Sequence, residues 1–143
     1  MDKALLDTDI FSEILKGIDQ TVIQRALAYR VTYSRYTTSA ITVLEIVKGL
    51  HKVGREHALQ RFLVAMSTVE LLTPDLDSAE LAGRIYADLE RTGQPIGRAD
   101  PIIAAIALRQ GLVLVTGNLR HYRRIQSLGY ALMLEGWREP AGR

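Results

Sequence analysis

The stretch LVLV at residues 112–115 is the feature that most constrains the fold of this chain. It has no polar residue at alternate positions, so both of its faces are expected to be buried. Strands of this kind occur in parallel sheets that helices cover on both sides. Apolar runs and helical patterns alternate along the rest of the chain, which is typical of α/β proteins. We therefore predict an α/β architecture with a mostly parallel central sheet.

Five strands and seven helices are predicted from the spacing of apolar residues and from Gly and Pro at element ends. The strands are expected at residues 3–6, 35–40, 68–72, 112–115 and 130–134. The helices are expected at residues 8–16, 21–30, 42–50, 55–67, 78–91, 101–109 and 119–126. No internal repeat, low-complexity tract or linker divides them, so we predict a single domain over residues 1–143.

The composition excludes several classes of protein. Of the 143 residues, 48% are hydrophobic and 24% are charged, as in a globular chain and not a disordered one. Cys is absent, which excludes disulfides and thiolate metal sites. The longest apolar run, residues 102–108, is far shorter than the ~20 residues of a membrane helix. The first residues, MDKALLDTD, place acids where a signal peptide has its apolar stretch, so we expect a cytoplasmic protein.

Polar residues lie where predicted strands end or helices begin. Asp7 follows the first strand, and Asn118 follows LVLVTG. Glu45 lies early in the helix after the second strand, and Asp100 directly precedes a strongly apolar helix. In parallel α/β sheets, ligands bind beyond the carboxyl ends of the strands. We therefore expect these four side chains on one rim of the sheet.

Each of these residues also has a purely structural explanation. Asp, Asn and Thr are preferred helix N-caps, worth ~1 kcal/mol each. Asp100 before Pro101 fits a cap and a first helical residue, and Thr42 with Glu45 fits a capping box. Asn118 is a candidate cap of the last helix, and the candidates for the first helix are Asp7, Thr8 and Asp9. Taken singly, these explanations are as good as the functional ones.

Taken together, the acids are harder to explain as caps. Two carboxylates ~4 Å apart repel by ~4 kcal/mol at an effective dielectric constant of ~20. Helix N-termini offset only ~0.3–1 kcal/mol per charge. The repulsion that remains requires raised pKa values or a bound cation. Because the ligand atoms are oxygens, the expected cation is Mg²⁺ or Mn²⁺. The sequence therefore predicts a metal-dependent phosphodiesterase site formed by Asp7, Glu45 and Asp100.

The predicted chemistry assigns a role to each polar residue. Asp7 and Asp100 are expected to hold the metal, with Glu45 positioning a water or accepting its proton. Asn118 is expected to orient a water or a phosphate oxygen. Three arginines are candidate contacts to flanking phosphates, with a solvated helix face as an equally good alternative: Arg98, Arg120 and Arg123. His121 and Tyr122 could stack on a base, but packing is the favoured prediction.

Four segments, in order and over nearly the whole chain, resemble the PIN-domain nucleases. They are LLDTDIFSEILKG, SAITVLEIVKGL, GQPIGRADPIIAAIAL and LVLVTGNLRHYRRIQSLGYALMLEGW. The resemblance is strongest to the VapC-type ribonucleases of toxin–antitoxin pairs. It implies a three-layer α/β/α sandwich around four to five strands.

The resemblance also implies a function and a set of partners. Family members bind Mg²⁺ or Mn²⁺, cut RNA, commonly dimerise and are blocked by an antitoxin protein. The matching positions for catalysis are Asp7, Glu45, Asp100 and Asn118, of which the three acids match the metal ligands. Supporting positions beside them are Thr8, Asp9 and Thr116.

Two residues depart from the family pattern. Asn118 stands where many PIN domains carry Asp, although the toxin branch often has Asn there. Because Asn carries no charge, this position argues against a full second metal site. Asp9 stands where Asn or Ser is common, and a helix cap is favoured over a further ligand.

Two other functions compete with the nuclease. A receiver-like phosphoacceptor domain needs an Asp at a mid-chain strand end, and there is no Asp between Asp19 and Asp75. A catalytically silent PIN-like module for RNA binding or scaffolding is the closer alternative. It ranks lower because the chain keeps three acids.

Overall fold

Five parallel strands form one sheet at the centre of the computed structural model, which describes residues 1–139. The strands are β1 (Ala4–Leu6), β2 (Thr37–Ser39), β3 (Glu70–Leu72), β4 (Val113–Val115) and β5 (Leu134–Glu135). Their order across the sheet is β3-β2-β1-β4-β5. Leu6 of β1 lies opposite Thr38 on one side and Val115 on the other, so β1 is central. The predicted domain extends to residue 143, and its last four residues lie outside the described range.

Within residues 1–139, seven helices connect the strands. They are α1 (Thr8–Lys16), α2 (Gln20–Tyr33), α3 (Ala40–Lys52), α4 (Glu56–Ala65), α5 (Leu76–Arg91), α6 (Ala99–Gln110) and α7 (Leu119–Ser127). A 3-10 turn at Met66–Thr68 leads from α4 towards β3. Apart from the last strand, every element begins and ends within about three residues of its predicted position.

Successive residues of the central strands enter two separate hydrophobic clusters. Leu5 and Leu114 pack with side chains of α5, α6 and α7. Leu6 and Val115 pack with side chains of α1 to α4 on the opposite face. All four are fully buried, because side chains alternate across a strand and helices cover both faces. The predicted three-layer α/β/α sandwich is therefore confirmed.

Helices α3, α5 and α6 begin two residues earlier than predicted, and in α3 and α6 the difference concerns candidate site residues. Helix α3 is capped by Ser39, whose hydroxyl accepts a hydrogen bond from the Thr42 N–H at 3.2 Å. The predicted capping box of Thr42 and Glu45 is wrong, and Glu45 lies in the second turn of α3. Helix α6 begins at Ala99, so Asp100 lies in its first turn and is not its cap.

The last strand also differs from its predicted position. It covers Leu134–Glu135, whereas residues 130–134 were expected. The N–H of Leu132 donates to the carbonyl of Tyr130 at 2.9 Å, which forms a turn where a strand was predicted. The chain therefore joins β4 from Met133 onward, where the Leu114 N–H donates to the Met133 carbonyl at 2.8 Å and Leu114 lies opposite Leu134.

The carboxyl ends of β1, β2 and β4 lie side by side, because these strands are parallel neighbours. We call this edge the rim. The chain leaves β1 at Asp7, enters α3 from β2, and leaves β4 at Thr116. The same residues 1–139 contain no helix long and apolar enough to cross a membrane.

Candidate active site

Asp7 lies at the centre of the rim and is only 3% exposed. It is the N-cap of α1, and its Oδ1 accepts a hydrogen bond from the Thr8 N–H at 2.8 Å. Its Oδ2 accepts a hydrogen bond from the Thr116 hydroxyl, also at 2.8 Å. The carboxylate is therefore fixed by its own helix and by the segment that follows β4.

Thr116 connects Asp7 to Asn118. The Thr116 hydroxyl accepts a hydrogen bond from the Asn118 N–H at 2.9 Å while it donates to Asp7. Asn118 occupies the N-cap position of α7, yet its exposed side chain makes no capping bond within the described chain. Asn118 therefore holds the predicted cap position without a side-chain cap, and its side chain faces solvent.

Asp100 enters the rim from the first turn of α6. Its Oδ1 accepts a hydrogen bond from the Tyr122 hydroxyl at 3.1 Å, and the His121 Nδ1 lies 3.4 Å from its Oδ2. The side chain of Asp100 is 15% exposed. Tyr122 is fully buried, as the packing prediction required, whereas half-buried His121 lies closer to solvent.

Glu45 is joined to the rim through Thr8. The Thr8 hydroxyl donates to the Glu45 Oε1 at 2.5 Å and lies 3.0 Å from the Thr42 hydroxyl. Because Thr8 has a single hydroxyl proton, Thr42 is the donor in the second pair. The second turn of α3 is thereby tied to the residue that follows Asp7.

Asp9 is not a cap of α1, which corrects the prediction for this residue. Its Oδ1 accepts from the Ile10 N–H at 2.8 Å, and its Oδ2 accepts from the Gly117 N–H at 2.9 Å. Arg138 forms ion pairs with Asp9 at 3.7 Å and with Glu13 at 2.6 Å. A Cβ on Gly117 would lie 1.9 Å from the Arg138 Nη1 and 2.5 Å from the Asp9 Oδ2, so a larger residue here would displace these two side chains. Asp9 therefore joins the β1–α1 junction to the β4–α7 loop.

The pKa of Asp7 is raised to about 7, and burial is the largest cause. The negative charges of Asp9 and, more weakly, Asp100 contribute to the rise, whereas the hydrogen bonds from Thr116 and Thr8 oppose it. Burial also raises the pKa of Asp9, against hydrogen bonds from Ile10 and Gly117 and the charge of Arg138. Burial is thus the main reason that these pKa values are raised, and the repulsion between carboxylates that the sequence predicted makes a smaller contribution at Asp7.

Tyr122 lies beside both central acids. Burial raises its pKa well above 10, and the charges of Asp7 and Asp100 raise it further. The phenol is therefore a neutral hydrogen-bond donor. Its partnership with Asp100 was not predicted, because the spacing of Tyr122 on α7 is that of a core residue.

The three predicted acidic ligands do not gather at one point. Residues 1–139 hold no group of three Asp, Glu or His side chains placed to bind a single ion. Asp7 and Asp100 both flank Tyr122, whereas Glu45 is reached through Thr8. The candidate donor atoms are all oxygens, which are the ligands that a hard divalent cation prefers. The neighbouring carboxylates also raise the pKa of Asp7, which is a second reason to expect a cation there.

The predicted phosphate contacts lie around the rim and are exposed: Arg98, Arg120 and Arg123. Arg98 occupies the N-cap position of α6 and lines a groove with Glu45 and Lys48. Arg120 and Arg123 lie on α7, which begins at Asn118. Within residues 1–139, none of the three arginines forms a salt bridge.

The fold and this acidic rim define a class of protein, the α/β proteins with carboxylates beyond the ends of parallel strands. A family model for the PIN domain matches residues 4–126. The chain belongs to the PIN-domain family, in its VapC-type ribonuclease branch.

Two curated relatives are similar over nearly the whole chain. The tRNA(fMet)-specific endonuclease VapC of Salmonella typhimurium is 33% identical over 96% of this chain and 99% of its own length. The enzyme of the same name from Shigella flexneri is 31% identical over 90% of this chain and 96% of its own length. These relatives confirm the predicted ribonuclease class.

Solved structures of toxin–antitoxin complexes share the fold. DNA-bound VapBC from Salmonella typhimurium matches with a TM-score of 0.80 and 33% identity, covering 96% of this chain and 99% of the matched chain. VapBC-1 from nontypeable Haemophilus influenzae matches with a TM-score of 0.77 and 26% identity, covering 95% of this chain and 98% of the matched chain. The predicted PIN fold and toxin–antitoxin affiliation are therefore confirmed, and the metal and the individual site residues stay predictions.

Proposed function

We propose that this chain is a metal-dependent endoribonuclease and the toxin of a type II toxin–antitoxin pair. The observation that carries this proposal is the buried Asp7 carboxylate at the rim, with a pKa raised to about 7 by burial and by Asp9 and Asp100. Ionisation of this carboxylate is unfavourable in the metal-free protein, and a bound cation would stabilise the ionised form.

Asp7 and Asp100 would hold Mg²⁺ or Mn²⁺, with Glu45 completing the acidic set. The chemistry that such an ion supplies is acidification of a water molecule and neutralisation of negative charge on a phosphate. Thr116 fixes the Asp7 carboxylate by donating to its Oδ2. Thr8 fixes Glu45 in the same way, so that this carboxylate can accept a proton at Oε2.

Exposed arginines and one exposed amide flank the acidic rim. The exposed amide of Asn118 can donate to a phosphate oxygen or orient a water. Arg98 on one side and Arg120 and Arg123 on the other supply charges for flanking phosphates. RNA is the proposed substrate, and tRNA(fMet) is the first RNA to test, because two relatives carry that specificity in their names.

The test measures cleavage and metal binding on the same samples. Wild type is expected to cut RNA with Mn²⁺ but not with EDTA, and its melting temperature should rise with Mn²⁺ according to RT ln(1 + [L]/Kd). Asp7→Asn should lose both the RNA cleavage and the rise in melting temperature with Mn²⁺. Asp77→Asn, which removes an exposed carboxylate paired with Arg109, is the matched control and should lose neither.

Cleavage that persists in EDTA, or that survives Asp7→Asn, would overturn the proposed mechanism. Metal-independent RNA binding without cleavage would support the alternative function, a catalytically silent RNA-binding or scaffold module.

The proposed protein partner is a cognate antitoxin, as in the VapBC complexes that share this fold. A groove of about 470 Å³ between α1, α3 and α4 supports this proposal. Its apolar floor includes Leu15, Ile46 and Phe62, and Lys16 and Arg61 are among its cations. Expression in bacteria should arrest growth, and co-expression of the adjacent upstream reading frame should relieve the arrest.

A homodimer is also proposed, through the apolar residues that α3 exposes. Leu44 is 60% exposed on this helix, close to Glu45. Leu44→Arg should shift the protein to monomer in light scattering, whereas Leu76→Arg, at an 83% exposed position on α5, should not. Equal masses for wild type and Leu44→Arg would contradict this interface.

A further inference from the structure

Tyr122 is a buried phenol whose hydroxyl reaches into the acidic rim. Its ring belongs to the hydrophobic cluster formed with α5 and α6, and its exposed fraction is 0%. Its hydroxyl donates to the Asp100 Oδ1 at 3.1 Å. A ring anchored in the core thus holds a donor at a fixed place beside a carboxylate that is itself 15% exposed.

A second buried tyrosine shows what an ordinary structural hydroxyl does in this protein. Tyr29 is also 0% exposed, and its hydroxyl exchanges hydrogen bonds with the backbone N–H and carbonyl of Ala4 at 3.1 and 3.3 Å. It joins α2 to β1 within the core. Tyr122 differs because its partner is the Asp100 side chain, which has its own rotational freedom and lies at the rim.

We propose that Tyr122 is a positioning residue, which holds the Asp100 carboxylate in a fixed orientation beside Asp7 for metal binding. This inference rests on the proposed function, because it assigns Asp100 to the metal. The protonated phenol adds no charge, so it orders Asp100 without neutralising it. Partners of this kind, behind a ligand, typically change metal affinity by 10- to 100-fold.

The other neighbours of Asp100 cannot supply the same constraint. The His121 Nδ1 lies 3.4 Å from the Oδ2, at the long end of hydrogen bonding, and the His121 side chain is 43% exposed. An exposed imidazole on α7 has several rotamers available, whereas the buried Tyr122 ring has one.

The experiment compares Tyr122→Phe with Tyr29→Phe. Both variants remove one hydroxyl from a fully buried ring and leave the volume of the core unchanged, so both are expected to fold. Mn²⁺ dissociation constants are measured by calorimetry, with metal-free melting temperatures as a check on folding. Tyr122→Phe should raise the Mn²⁺ dissociation constant about tenfold or more. Tyr29→Phe should leave it within about twofold, even if its melting temperature falls.

A second measurement separates positioning from a general loss of activity. For Tyr122→Phe, RNA cleavage at saturating Mn²⁺ should return close to the wild-type kcat, because the hydroxyl acts on metal affinity. Equal Mn²⁺ affinity in wild type and Tyr122→Phe would overturn this inference while leaving the nuclease intact. A wild type that binds no Mn²⁺ would instead overturn the proposed function, and the role of Tyr122 with it.

Discussion

The Thr116 hydroxyl donates to the buried Asp7 carboxylate at 2.8 Å, across 109 positions of sequence. This bond joins the ends of two neighbouring strands, β1 and β4, at the rim. It lowers the pKa of Asp7 against the larger effect of burial. The stability of the fold and the charge state of the candidate active site therefore depend on the same contact.

Thr116→Val tests this contact, because it keeps the shape of the side chain and removes the donor to Asp7, together with the acceptor of the Asn118 N–H. At pH 8 the Asp7 carboxylate would remain buried with one hydrogen bond fewer, so the free energy of unfolding should fall by about 1–3 kcal/mol. Urea denaturation at pH 8 measures the change. Thr116→Ser retains a hydroxyl and serves as the control; a loss in Thr116→Ser as large as that in Thr116→Val would mean that the hydroxyl is not responsible.

Asp7→Asn should stabilise the metal-free protein at neutral pH. The folded pKa of about 7 lies above the ordinary value of 3.8, so the folded state binds the proton more tightly than the unfolded state. Wild-type stability must then fall as the pH rises from about 4 to about 7, and the full penalty applies above that window. The difference of about three pKa units corresponds to at most roughly 4 kcal/mol.

The stability gain of Asp7→Asn should therefore be absent below pH 4 and greatest above pH 7. The Asn oxygen can accept from the Thr8 N–H, and its amide NH2 can donate to the Thr116 hydroxyl, so Asn keeps the size of the side chain and two polar contacts without the charge. Urea denaturation in EDTA at pH 4, 6 and 8 measures it. A difference between the two proteins that does not change with pH would contradict the raised pKa.

The position of Asp7 was predictable from the sequence, whereas its surroundings were not. LVLV and the apolar residues before Asp7 identify buried strands locally, and parallel neighbours bring their carboxyl ends to one edge. The contact between Tyr122 and Asp100 joins residues 22 positions apart on different helices. Its geometry depends on how α6 and α7 pack, and a tyrosine at core spacing does not report where its hydroxyl points.

The capping explanations for Asp100 and Glu45 failed for a similar reason. Both residues have cap-like neighbours in sequence, but Arg98 occupies the cap position of α6 and Ser39 that of α3. Local preferences worth ~1 kcal/mol are overridden when the packing of a helix moves its start by two residues. Asp9 illustrates the same point, because its partners Gly117 and Arg138 come from the distant end of the chain.

Glu45→Gln should abolish most of the activity and leave the fold intact. The half-buried carboxylate accepts from Thr8, and the Gln amide oxygen can accept the same bond, so the melting temperature should change little. Loss of a proton acceptor typically lowers the rate by 10²- to 10⁴-fold. Single-turnover cleavage of tRNA(fMet) with Mn²⁺ provides the measurement. Glu56→Gln, at an exposed position of α4, is the control, and a Glu45→Gln rate within threefold of wild type would remove Glu45 from the mechanism.

The arginines of α7 should bind RNA through its phosphates. Each phosphate contact to a single strand contributes about 0.7 to the slope of log K against log salt concentration. The double variant Arg120→Gln/Arg123→Gln should therefore lower that slope by roughly 1–1.5 units and weaken RNA binding in EDTA.

The matched control is Arg84→Gln/Arg91→Gln on α5, where both arginines pair with acids of their own helix. Fluorescence anisotropy between 50 and 200 mM salt measures the slopes. If the α7 and α5 variants show the same slope, α7 is a solvated helix face and not part of the RNA-binding surface.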